Sequence, residues 1–163
     1  MVRDAGFRCK WWNREARERV RPARIVLAHF RHKTITALVD SLNAFVWLKV
    51  RAEKAEVVTT VCTGTAILAH TGLLDGRRAT TNKSAFKWVA EQTAKVNWVR
   101  QARWVEDGKF ATSSGVSAGI DMALAVMARL YSTETAEKIA IEMEYEWHRD
   151  ASWDPFAKIH GLV

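Results

Sequence analysis

Val57, Val58, Thr59, Thr60 and Val61 form an unbroken β-branched run. Stiff χ1 rotamers suit such residues to a pleated surface covered on both faces, so the run reads as a buried strand. Just past Cys62 the period changes. Gly64 offers the permissive backbone of a tight turn, and Thr65, Ala66, Ile67, Leu68 and Ala69 read as a helix closing near Gly72. Upstream, Leu38, Leu42, Phe45, Val46 and Leu48 recur at three- and four-residue steps before Lys49, Arg51, Glu53 and Lys54, which predicts an amphipathic helix over residues 36–55. Downstream, Ile120, Ala123, Leu124, Met127 and Leu130 mark one stripe of a core helix over residues 116–131. Thr133 is placed to cap a further helix, with Glu134 and Glu137 near its start and Ala136, Ala140 and Met143 on its apolar face to about Tyr145.

Between these helices the pattern is shorter in wavelength. Asp75-Gly76 signals a turn before a short strand in residues 77–81, and Ser84 is placed to cap a helix over residues 85–94 carrying Phe86, Trp88 and Val89. Residues 96–99 and 102–105 read as strands, and Glu106-Asp107-Gly108 turns the chain back into residues 110–113. Ser113-Ser114-Gly115 then opens the long helix. The end, WHRDASWDPFAKIHGLV, shows little periodicity and is expected to wrap over a neighbouring surface. The whole reads as an α/β domain.

Composition narrows this. At 163 residues and 48% apolar, the chain suits one domain with a real core. No apolar run approaches the roughly 18 residues of a membrane span and the N-terminus is charged, so a cytoplasmic protein without a membrane partner is expected. Cys9 and Cys62 are too few for a disulfide framework, which fits a reducing compartment. The net charge of +7 lies entirely in residues 1–35, where ten Lys and Arg face Asp4, Glu15 and Glu18; residues 36–163 carry fifteen bases and fifteen acids. That divides the chain into a basic, Arg- and Trp-rich arm (1–35) and a neutral domain (36–163). Trp11 and Trp12 among arginines can stack on bases, but replacement sequence is the stronger reading, so nucleic acid is not expected as a partner, and if bound at all would be bound only through this arm. The apolar run after Pro22 can be a short strand. No phosphate loop, repeat or metal-spaced His/Cys cluster is present, and no cofactor or metal is expected.

Cys62 stands where a buried strand turns into a helix, which is the physics of a nucleophile elbow. The amides of Thr63 and Gly64 can then bind an oxyanion at the positive end of the helix, and a thiol so placed should ionise more readily. The bland alternative is a small buried core cysteine.

Three segments, VCTGTAILAHTGLLDGRRATT, TSSGVSAGIDMALAVMARL and MEYEWHRDASWDPFA, resemble in order and spacing the ThiJ/PfpI superfamily of glutamine amidotransferase-like proteins, most closely its isonitrile hydratase-like branch. The likeness runs from about Leu38 to the C-terminus. It implies a flavodoxin-like three-layer sandwich with a mainly parallel sheet and an N-terminus that is truncated or altered so that some first strands are missing; the apolar sheet edge this would leave open beside Val57–Val61 makes homo-oligomerisation expected. It also implies isonitrile hydration to an N-substituted formamide, with Cys62 as nucleophile and Thr63 and Gly64 in support, acting on a small electrophile, an isonitrile or a carbonyl. Many relatives carry a histidine where this chain has Asn82, and hydratase-like members depend on a first-strand acid that no residue here matches; Asp4 before Ala5-Gly6-Phe7 is a weak echo. Impaired or absent activity is therefore expected. Rivals are a glyoxalase-like or amidase-like cysteine enzyme and a non-catalytic ligand-binding or regulatory remnant. Asp121 of the GID motif is read as structural, His70 as a packed helix residue, and Trp98 and Trp104 as packing residues.

Overall fold

The computed structural model describes residues 25–29 and 42–163. The expectations for Asp4, Cys9, Trp11 and Trp12, and for the helix over residues 36–41, fall outside them. In chain order the elements are β1 (Ile25–His29), α1 (Leu42–Lys54), β2 (Val57–Val61), α2 (Gly64–His70), β3 (Arg78–Ala79), α3 (Phe86–Gln92), β4 (Asn97–Trp98), β5 (Trp104–Asp107), β6 (Phe110–Ser113), α4 (Val116–Leu130), α5 (Thr133–Glu142) and α6 (Phe156–Ile159).

The main sheet has the order β1-β2-β6-β5. β1 and β6 both run parallel to β2, while β5 joins β6 as an antiparallel hairpin, with Glu106 opposite Ala111. Alternate side chains of β2 divide between two cores. Val58, with Phe110 of β6, meets Leu48 and Ala52 of α1 and Ile67 and Leu68 of α2. Val57 and Val61, with Ala111, meet Met122 and Val126 of α4. All five residues of β2 are buried, as an unbroken apolar run between helical layers requires. α5 packs outside α4 through Ala136, Ala140 and Leu124. The result is a flavodoxin-like α/β sandwich with a mainly parallel sheet.

Four details depart from the sequence pattern. β1 is the short strand expected after Pro22, within the basic 1–35 segment; it pairs Ile25 with Val57 and His29 with Val61, so the edge of β2 expected to stay open, the ground for expecting homo-oligomerisation, is occupied. On the sheet side of α4 lie Met122 and Val126 with Leu130 of the predicted stripe, whereas Ala123 is exposed and Ile120, Leu124 and Met127 pack toward α5. Both faces of α4 are apolar, so periodicity alone marked mostly the α5-facing one. Ser132, not Thr133, caps α5, its Oγ accepting the Thr135 amide at 3.1 Å. Ser84 does not cap α3; its hydroxyl is spent on Asn82 Oδ1 at 2.5 Å.

The C-terminal segment wraps across the domain as expected, and it is pinned there. Asp121, fully buried on α4, accepts the Tyr145 hydroxyl at 3.1 Å and the His148 amide at 2.8 Å. Farther on, Ala157 and Leu162 pack against Phe86.

Candidate active site

β2 delivers Cys62 to the carboxyl end of the parallel strands, next to the first turn of α2. Its backbone is left-handed, with φ at 59°. For a residue bearing a Cβ this conformation costs about 1–2 kcal/mol, so surrounding contacts must hold it. They do. The Cys62 amide donates to the Ser113 carbonyl at 3.2 Å. Its carbonyl accepts the Thr81 hydroxyl at 2.9 Å and the Thr65 hydroxyl at 3.2 Å. Thr65 Oγ1 in turn lies 2.8 Å from Thr60 Oγ1, which ties the strand before Cys62 to the helix after it. The side chain of Cys62 is half-buried against the core formed by Val57, Val61, Trp104 and Met122.

The strained turn residue is thus Cys62 itself. Gly64, expected to supply the turn's permissive backbone, is instead the first residue of α2 and is buried. Thr63 precedes it with near-helical angles, φ −68° and ψ −7°, and is also buried.

Asn82 directly follows the threonine that holds the Cys62 carbonyl. It is half-buried, and its Oδ1 accepts the Ser84 amide at 3.1 Å. A Cβ built on Gly115, which precedes α4, would meet Asn82 Nδ2 at 3.8 Å. Beside these residues opens a cavity of about 210 Å³, lined among others by Asn82, Lys83, Arg103, Ser114, Asp154 and His160. Lys83, Asp154 and Arg103, each held in a buried ion pair, form its charged wall. Lys83 Nζ lies 3.0 Å from Asp154 Oδ2, and the Arg103 Nε donates to Asp121 Oδ2 at 2.7 Å. Burial pushes the Lys83 amine below its ordinary range, against the opposing pull of Asp154. Tyr145 is pushed up, first by burial and then by the Asp121 carboxylate it touches.

Sequence reading missed Lys83, Asp154, Arg103 and His160. Asp154 and His160 belong to the segment without periodicity, and nothing local marks a lysine or an arginine as buried. Other residues lie where expected. Asp121 is a structural hub, and Trp104 is a core residue. His70, at the far end of α2, gives Nδ1 to the Ala66 carbonyl contact at 2.7 Å and stacks on Phe45. Among the described residues no group of three or more His, Cys, Asp and Glu side chains is arranged to hold a metal ion, and no helix is long and apolar enough to cross a membrane.

Comparison with known proteins matches this geometry. The profile of the DJ-1/PfpI family aligns with residues 33–129. An isonitrile hydratase of Pseudomonas putida is 34% identical over 108 residues, covering 66% of this chain and 46% of that protein. An HTH-type transcriptional regulator, CdhR of Pseudomonas aeruginosa, is 32% identical over 94 residues, covering 58% of this chain and 28% of the regulator. The chain therefore spans less than half the length of these curated relatives. Among solved structures, a THiJ/PfpI family protein from Pseudomonas syringae superposes with a TM-score of 0.66 at 30% identity, over 76% of this chain and 50% of that one. Drosophila melanogaster DJ-1beta superposes with a TM-score of 0.64 at 19% identity, over 76% of this chain and 64% of its own, which is a likeness of fold.

Proposed function

Since the chain belongs to the DJ-1/PfpI family, we propose that Cys62 is the nucleophile of a cysteine-dependent hydratase-like site, and that its electrophile is a small isonitrile. The observation that carries this is the left-handed backbone of Cys62, held at the strand-to-helix junction by Thr81, Thr65 and Ser113. Strain maintained by so many contacts is characteristic of functional positions. The likeness to the Pseudomonas putida isonitrile hydratase supplies the substrate class.

The chemistry requires no metal or organic cofactor. The thiolate adds to the terminal isonitrile carbon, forming a C–S bond, and that carbon takes a proton to give a thioimidate. Water then adds to the same carbon, the C–S bond breaks, the thiolate is restored, and an N-substituted formamide leaves. Thr63 and Gly64 amides would stabilise developing charge.

Proton transfer is where the described residues around Cys62 are poor. Asn82 has no titratable nitrogen, and the described side chains that hydrogen-bond to the Cys62 backbone are the hydroxyls of Thr65 and Thr81. A positioned acid or base is typically worth about 10² to 10⁴ in rate, so capture should outpace turnover. Formamide production followed by NMR tests this: a slow rate lost in Cys62→Ser supports the proposal, and fast hydration that survives Cys62→Ser overturns it.

A second reading, a ligand-binding or regulatory remnant, is favoured by the similarity to the transcriptional regulator. Isonitrile adducts with no formamide at all would select it; adducts formed with aldehydes in preference would select a glyoxalase-like activity. Self-association belongs to either reading, because exposed Val116 and Met143 rim an apolar cavity of about 450 Å³ floored by Val61 and Met122. A cytoplasmic setting suits a free, half-buried thiol.

A further inference from the structure

We infer that the buried Lys83–Asp154 ion pair is a positioning device for Cys62, through which the C-terminal segment sets the geometry of the elbow. The inference rests on the reading of Cys62 as a nucleophile. The two side chains are 2% and 1% exposed, with Nζ and Oδ2 3.0 Å apart. Lys83 Nζ also donates to Thr80 Oγ1 at 2.7 Å. Thr80 is then fixed in every direction: its hydroxyl donates to the Val99 carbonyl at 2.9 Å, and its amide donates to Thr112 Oγ1 at 2.9 Å. The next residue, Thr81, places its hydroxyl on the Cys62 carbonyl at 2.9 Å. Three short contacts thus join Asp154 to the peptide group that follows the strained residue.

That peptide group is the sensitive one. Rotating it changes ψ of Cys62 and φ of Thr63 together, which re-aims the Thr63 amide relative to the thiol. At the other end, Asp154 Oδ1 accepts the Phe156 amide at 3.1 Å, and Ala157 beyond it packs on Phe86, three residues after Lys83. The C-terminal segment and residues 80–86 therefore move as one block. A buried ion pair is seldom a better source of stability than apolar residues of the same size, whereas it fixes the direction of its partners. Lys83 lines the cavity beside Asn82 while pointing its charge at Thr80 and Asp154, so it acts on Cys62 through the backbone and not by contact.

The test uses the full chain and compares alkylation of Cys62 by iodoacetamide with that of Cys9 in the same molecule, by peptide mapping across pH. In Lys83→Met/Asp154→Leu no charge is stranded, and the variant should fold. The Cys62-to-Cys9 rate ratio is expected to fall about tenfold to a hundredfold, the pH profile of Cys62 labelling to change, and Asp154→Glu to keep most of the native ratio. An unchanged ratio and profile in the folded double variant overturn the inference while leaving the nucleophile reading intact. Should the double variant unfold, Lys83→Arg decides, because a guanidinium keeps the ion pair but not the point contact to Thr80. A fall in ratio there supports the positioning role, and native labelling overturns it. Native Cys62 labelling no faster than Cys9 would instead defeat the nucleophile reading itself.

Discussion

A methyl group on Gly119 would lie 2.8 Å from Val61 Cγ1 and 2.9 Å from Val61 Cγ2. Helix α4 thus touches the sheet at the residue before Cys62, at a distance only glycine permits. Val61 is β-branched and cannot rotate out of the way. Overpacking of this kind costs about 1–3 kcal/mol, against about 1 kcal/mol of helix propensity gained by replacing glycine. Gly119→Ala should therefore lose up to about 2 kcal/mol in urea denaturation; a gain in stability would show that α4 shifts freely over β2.

Asp121 is fully buried and neutralises Arg103 while holding Tyr145 and His148. Removing one partner of a buried pair typically costs about 3–5 kcal/mol, because the other charge is left without compensation. Asp121→Ala should destabilise by that amount and expose residues 145–153 to limited proteolysis. Adding Arg103→Met should recover much of the stability, but not the protection. Unchanged proteolysis in Asp121→Ala would mean the segment is held elsewhere.

For Lys83 the pH dependence has a definite sign. Its amine is lowered from 10.5 by burial, so the favourable contribution of this group is present above pH 10.5 and lost as pH falls through its folded value. At neutral pH the buried charge is a net cost. Lys83→Met/Asp154→Leu should then match the native chain in stability at pH 7 or exceed it by about 1–4 kcal/mol, with the difference shifting toward the native chain as pH approaches 10.5. A double variant much weaker at neutral pH would assign the pair to stability instead of geometry.

Nucleic-acid affinity, if measured by filter binding, should reside in residues 1–24. They hold eight of the ten basic residues of the arm, whereas residues 25–29 are committed to the sheet. Deleting 1–24 should abolish binding and leave thermal unfolding cooperative; in the native chain each phosphate contact adds about −0.9 to the salt slope. Binding retained by the deletion would place the affinity in the neutral domain.

Much of the fold was legible where one physical signal dominates. The β-branched run of Val57–Val61, the turn at Gly108 and the long α4 helix all lie where pattern placed them. At the site, Cys62 was legible because strand, turn and helix follow one another without a gap. Capping was misread at Thr133 because the neighbouring Ser132 hydroxyl takes the role, and at Ser84 because its hydroxyl donates to the Asn82 amide oxygen. Lys83 with Asp154 and Arg103 with Asp121 were not legible at all: nothing local marks a charged side chain whose partner is distant in sequence, and only the wrapped C-terminal segment brings Asp154 to Lys83.

The central claim is that Cys62 captures an isonitrile that this site then releases slowly. Peptide mapping by mass spectrometry after brief incubation with a small alkyl isonitrile tests it most directly. A mass increase equal to one isonitrile is expected on the peptide containing Cys62, absent from the Cys9 peptide and from Cys62→Ser, and decaying slowly to free thiol and formamide. An unmodified Cys62, or equal labelling of both cysteines, would contradict it.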